Sequence, residues 1–166
     1  MKKFFTATAA AILAIGSALP SQAGSRQDAM TLINLVKETG TVVSMNSNSF
    51  DPNCKGNAGY YVFQKDVEDA MIVCRDQVNI DDPNELWETV AHESVHVAQA
   101  CNGGAYFKPQ YHPRMLRELR SLAPHYAKML QGYRGDHQLK ELEAFWAELQ
   151  TPETVISMVQ TACFSD

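Results

Sequence analysis

The chain has 166 residues, 45% of them hydrophobic and 20% charged, which is enough for one domain with a real core. It carries 14 Lys and Arg against 19 Asp and Glu, a formal net charge of −5. With no cluster of basic residues, that acidic balance excludes nucleic acid as a natural partner.

Residues 1–23 read as a secretory signal peptide. Lys2 and Lys3 form a positive start, and Phe4 to Leu19 is apolar but short for a membrane span. Ser21-Gln22-Ala23 supplies small residues at a cleavage site. The expected mature protein is a single domain over 24–166, periplasmic or secreted. No later segment is apolar enough to cross a membrane, so no membrane insertion is expected after cleavage. All four cysteines, Cys54, Cys74, Cys101 and Cys163, lie in that domain. An oxidising compartment and an even count predict two disulfides, for which three connectivities exist. The expected pairing is Cys54 with Cys74, joining neighbouring segments, and Cys101 with Cys163, tying the chain's end to its middle.

Met30, Ile33, Leu35 and Val36 predict a helix from about Gln27 that ends at Gly40. Thr41 to Met45 is short and β-branched, a strand. Asn46 to Asn57 is rich in Asn, Ser, Gly and Pro, a loop. Tyr60 to Gln64 and Ala70 to Cys74 read as a hairpin across a polar turn, Lys65 to Asp69. Asp82-Pro83-Asn84-Glu85 predicts a helix start, with Asp82 as N-cap and Glu85 completing a capping box. The helix runs to Cys101, with Trp87, Ala91, Ser94, Ala98 and Cys101 on its buried stripe, and Asn102-Gly103-Gly104 ends it.

After an irregular link, Pro113 opens a helix with an apolar stripe of Met115, Leu119, Leu122, Tyr126 and Met129, kinked at Pro124. Asp136 is the expected cap of a helix burying Leu139, Leu142, Trp146 and Leu149. Thr151-Pro152-Glu153 opens a last helix, buried through Val155, Met158, Val159 and Ala162. The expected fold class is α+β: a small antiparallel sheet followed by a helical second half.

The chemistry centres on His92-Glu93-Ser94-Val95-His96. Two histidines four apart on a helix present their rings on one face, one turn apart, as two ligands of one Zn²⁺ must. Glu93 is then placed to act as general base on water at the metal. A catalytic zinc usually takes a third protein ligand. Gln99 and Asn102 stand where a third-histidine pattern needs Gly and His, so the third ligand is sought in the acidic segment Glu141-Leu142-Glu143-Ala144-Phe145-Trp146-Ala147.

His92-Glu93-Ser94-Val95-His96-Val97-Ala98-Gln99 and Glu141-Leu142-Glu143-Ala144 together resemble the gluzincin-like zinc metallopeptidases, in particular compact exported bacterial ones. The resemblance covers those two helices and, more loosely, the hairpin. It implies a zincin-like core around the motif helix and a peptide or protein substrate. It also implies His92, His96 and Glu141 as zinc ligands, with Glu143 the alternative to Glu141. Where such families often carry Asp after the alanine, this chain has Phe145, so the carboxylate partner of a ligand histidine is unassigned. His137, Tyr106 and Tyr111 are candidate transition-state stabilisers. Strand Ala70 to Cys74 is the candidate edge for an extended peptide. The competing functions are an exported metal-binding protein without useful turnover, serving in binding or regulation, and a fold in which metal or disulfides only stabilise.

Overall fold

The structure, a computed structural model, describes residues 24–63 and 68–165. The expected leader, the last residue of the second expected strand and the first part of the hairpin turn fall outside those residues. In chain order the elements are α1 (Arg26–Glu38), β1 (Val42–Asn46), β2 (Gly59–Val62), β3 (Ala70–Cys74), α2 (Pro83–Cys101), α3 (His112–Leu122), α4 (Pro124–Met129), α5 (Gly135–Ala147) and α6 (Pro152–Phe164). The class is α+β, as expected, but the sheet is mixed. Its order is β1-β3-β2, with β3 antiparallel to β2 and parallel to β1. Strand β1 returns to β3 only after the loop and β2 have intervened. That crossover reverses the chain twice and makes the β1–β3 pair parallel. Strand β3, the expected peptide-binding edge, is therefore central and hydrogen-bonded on both sides, and among the described residues the free edges belong to β1 and β2.

Local chemistry sets the helix ends. Ser25 and Asp28 form a reciprocal capping box at the start of α1. Asp82 caps α2 through the Asn84 N–H. Glu85 does not complete the expected box there; it accepts the Asn79 N–H at 2.8 Å and pins the preceding loop. At the other end Gly103 adopts φ +73°. The Gly104 and Gly103 N–H groups bond back to the Gln99 and Ala100 carbonyls, the double closure that glycine permits at low cost. Pro124 breaks the helix rather than kinking it. Ala123 falls to φ −141°, ψ 69°, and separates α3 from α4, because a residue before proline is driven out of the helical region. The break turns Leu122 and Met129 to solvent, off the expected stripe, while Met115 and Leu119 stay buried. The N-cap of α5 is Arg134, and Asp136 lies inside its first turn.

Helix α2 is the centre of the molecule. Leu86, Trp87, Val90, Ala91, Val95, Val97 and Ala98 are all buried in the main core, with Leu32 and Val36 of α1, Met71 and Val73 of β3, and Val155 and Val159 of α6. Ala144 and Ala147, both fully buried, line the side of α5 that enters this core. Both expected disulfides are present: Cys54–Cys74 staples the loop before β2 to the end of β3, and Cys101–Cys163 ties the end of α2 to α6. No helix among the described residues is long and apolar enough to cross a membrane.

Candidate metal centre

His92 and His96 project from the middle of α2 toward α5, where Glu141 meets them. One donor atom from each of the three lies within 4.8 Å of the others, a group that can hold a metal ion. His92 Nε2 is 3.4 Å from Glu141 Oε2, and His96 Nε2 is 3.6 Å from Glu141 Oε1. The hydrogen bonds behind the rings fix which nitrogens face the cluster. His92 Nδ1 donates to Glu148 Oε1 at 2.7 Å. His96 Nδ1 lies 2.9 Å from Gln99 Oε1. Gln99 Nε2 donates to Glu143 Oε2 and to the Lys140 carbonyl, which leaves Oε1 as the acceptor for His96 Nδ1–H. This assignment follows from the network. Both Nε2 atoms are thus left bare toward a carboxylate, and lone pairs would oppose lone pairs unless a cation or a proton lay between. The donor set of two imidazoles and one carboxylate, each backed by a partner, fits a divalent metal.

The charges behave accordingly. Burial alone would depress the His92 pKa, but Glu141 and Glu148 together hold it at about 10. His96, buried and beside a charged His92, falls to about 4. Glu141 is pulled below the usual carboxylate range by His92 and His96 despite its burial.

Glu93, one residue along, is 5% exposed. Its Oε2 has no hydrogen-bond partner; among the described residues only Trp87 Nε1 shares that condition. Burial raises its carboxyl to about 7, opposed by His92 and reinforced by Glu141 and Glu148. Gly59 of β2 makes room for it: a Cβ there would lie 3.0 Å from Glu93 Cγ and Oε1 and 2.9 Å from the Ile72 carbonyl. A buried acceptor left without a donor costs stability, and the residue that carries this one lines a cleft.

The cleft holds about 540 Å³ and is bounded by Gly59, Tyr60 and Tyr61 of β2, by the motif face of α2, and by Tyr133, His137 and Glu141. His137 is exposed at its rim, with Nε2 3.3 Å from Glu141 Oε1. Of the other residues proposed from sequence, three are elsewhere. Tyr106 packs its ring on Phe107 beside the core, and Tyr111 is half exposed beyond it; neither lines the cleft. Glu143 is fully buried and turned away. It accepts the Tyr106 and Phe107 N–H groups, Gln99 Nε2 and His112 Nε2, all at 2.8–2.9 Å. Every lone pair it can use is taken, so it anchors the link after α2 rather than joining the cluster.

Two functional residues escape a reading of the sequence. Glu148 supplies the carboxylate behind His92. It lies seven residues after Glu141, two helical turns along the same face, and that spacing was the available signal. Phe145 instead sets its ring edge against His92, centroids 4.9 Å apart. Tyr133 lines the cleft beside Glu93, its hydroxyl pKa raised first by burial and then by Glu141 and Glu93. It sits in the turn before α5, where no periodicity marks it.

Fold and site together define an α+β protein in which one central helix and one later helix build a His/His/Glu group able to hold a metal ion. The chain belongs to the family described as a domain of unknown function, DUF8637, whose model matches residues 22–164. No curated protein and no solved structure matches it.

Proposed function

We propose that the protein is an exported zinc-dependent peptidase of the gluzincin-like type, built on a zincin-like core. The observation that carries this reading is Glu93. It is buried beside the His92/His96/Glu141 group, is not needed as a ligand, lines the cleft, and keeps one oxygen without a hydrogen-bond partner. His92, His96 and Glu141 are the ligands. Zinc, when bound, supplies a Lewis acid that polarises the substrate carbonyl and acidifies water. Glu93 takes the proton of the attacking water and delivers it to the amine nitrogen as the C–N bond breaks. Tyr133 and His137, at the cleft wall, are assigned as donors to the developing oxyanion.

The free edge of β2 supports a peptide substrate. The Cys74 N–H bonds to the Ala58 carbonyl, so Tyr60 and Val62 share β3's bonding register. By the alternation of an antiparallel ladder, the backbone groups of Gly59 and Tyr61 point away from the sheet. They offer an extended peptide its pairing partners beside Glu93. The disulfides suit an exported protein.

The test is elemental analysis of the purified protein followed by a peptide-library digest with wild type and Glu93→Gln. The expected result is one zinc per chain in both, with cleavage lowered about 10²–10⁴-fold in the variant. A zinc-loaded wild type that cuts nothing refutes the peptidase and leaves a metal-binding role. A chain that takes up no metal, with stability unchanged by EDTA, refutes the metal centre.

A further inference from the structure

A second cavity of about 240 Å³ adjoins the main cleft and shares Asn57, Gly59, His92, Glu93 and Tyr133 with it. Its volume equals that of about eight liquid waters. Its character differs from that of the cleft. Glu88 of α2 and Glu148, just after α5, contribute carboxylates, Glu93 with its unpartnered oxygen lines it as well, and none of its lining residues is Lys or Arg. One wall is aromatic: Tyr126 stacks on Phe145 with centroids 5.0 Å apart at 17°, and Tyr133 stands 6.4 Å from Phe145.

The protein gives these carboxylates few donors. Glu148 Oε1 takes the His92 N–H. The Tyr126 hydroxyl neighbours both Glu88 and Glu148, but it has one proton and cannot serve both. Burial and the charge of Glu148 hold the Glu88 carboxyl above its ordinary range. A cavity flanked by acids, Glu88 exposed and Glu93 and Glu148 buried, and walled by ring faces, is complementary to an organic cation, which gives N–H donors to carboxylates and charge to π faces.

We propose that this cavity is a specificity pocket for a cationic group of the substrate. The cation is either the ammonium or guanidinium of a Lys or Arg side chain next to the cleaved bond, or the α-ammonium of a short peptide. The proposal rests on the peptidase reading of the adjoining cluster and names its substrate class. Glu88 is the determinant to change. It lies one helical turn before His92, on the solvent side of α2, and touches no ligand of the cluster by any hydrogen bond.

The test uses peptide pairs identical except for Lys against norleucine, or Arg against citrulline, each with a free or acetylated amino terminus. Binding to the full-length, zinc-loaded Glu93→Gln variant is measured by calorimetry, and cleavage is measured with wild type. The cationic member is expected to bind about ten-fold tighter or more, the range of a hydrogen bond to a charged partner. Adding Glu88→Gln is expected to remove most of that advantage while leaving norleucine binding within about two-fold, the range of a surface substitution. Glu88→Lys is expected to reverse the preference. If acetylation alone abolishes the advantage, the α-ammonium is the ligand; if only the side-chain exchange does, it is Lys or Arg. Equal binding of both members of every pair, or equal weakening of both by Glu88→Gln, overturns the pocket. Cleavage without any basic preference overturns it while leaving the peptidase standing. Tight cation-dependent binding with no cleavage supports the pocket and refutes the peptidase.

Discussion

Replacing Glu143 by Gln separates a structural anchor from a metal ligand. The side chain is fully buried, and its two oxygens accept four N–H groups, from Tyr106, Phe107, Gln99 and His112. Glutamine has the same shape, so no cavity forms. Whichever way its amide turns, however, the NH₂ confronts two donors. Two bonds to a charged acceptor are lost, and two buried donors are left unpaired. Breaking such a buried network costs about 3–5 kcal/mol, a large share of the roughly 5–15 kcal/mol that holds a domain together. At about 4 °C per kcal/mol for a chain of this size, the midpoint falls by about 12–20 °C. The assay is thermal unfolding in EDTA, so that metal linkage does not contribute, followed by zinc uptake at 20 °C. Glu141→Gln, which faces only ring nitrogens, is expected to lose zinc and, in EDTA, to melt below the wild type by less than Glu143→Gln, since no backbone N–H depends on it. A Glu143→Gln protein that melts within about 3 °C of wild type refutes the anchor, since a network of this kind cannot be lost so cheaply. Loss of zinc at an unchanged midpoint would make Glu143 the ligand after all.

Three further outcomes are expected. Glu148→Gln removes the carboxylate that orients His92 and should weaken zinc binding about 10–100-fold in competition with a chromophoric chelator; unchanged affinity denies Glu148 that role. Gly59→Ala forces a methyl against Glu93 and the Ile72 carbonyl, and should cost about 1–3 kcal/mol in denaturant titration while lowering cleavage. A neutral effect on both would mean that the contact relaxes freely. In metal-free protein Glu93 is raised from 4.5 to about 7. Between those values the unfolded chain ionises while the folded one stays protonated, so this group lowers stability as pH rises through that window. The midpoint difference between Glu93→Gln and wild type should therefore widen in favour of the variant from pH 4.5 to 7, by up to about 3 kcal/mol. A difference constant with pH refutes the shift.

What could be read along the chain was whatever depends on neighbours in sequence. The cap at Asp82 with Pro83, the glycine closure after α2, the four-residue spacing of His92 and His96, and the proline-led starts of α2 and α6 are all local in cause. The pairing of the four cysteines was expected correctly too, although its bonds span 20 and 62 positions and were completed by the packing of the hairpin and of α6. Glu141 was approached by resemblance, and the geometry puts its carboxylate beside both histidines.

The remainder was decided by packing. Nothing in Glu143 itself distinguishes it from Glu141. They differ because α5 turns one toward the motif face and the other toward the link after α2, whose free N–H groups claim it. Tyr133 enters the cleft and Tyr106 does not, because the turn before α5 lies over Glu93 while the link after α2 folds back on the core. Strand β3 became the centre of the sheet because β1, distant in sequence, pairs with its far side. The sequence by itself determined most of the helices, the cap at Asp82, the closure after α2 and the presence of a two-histidine motif, since each is set within a turn or two of backbone. Only the tertiary structure decided which acids serve the histidines, which strand offers an edge and which side chains meet in the cleft. Those are contacts between segments 40 to 60 residues apart, as between His92 and Glu148 across 56 positions and Gln99 and Glu143 across 44, and local propensity carries no record of them.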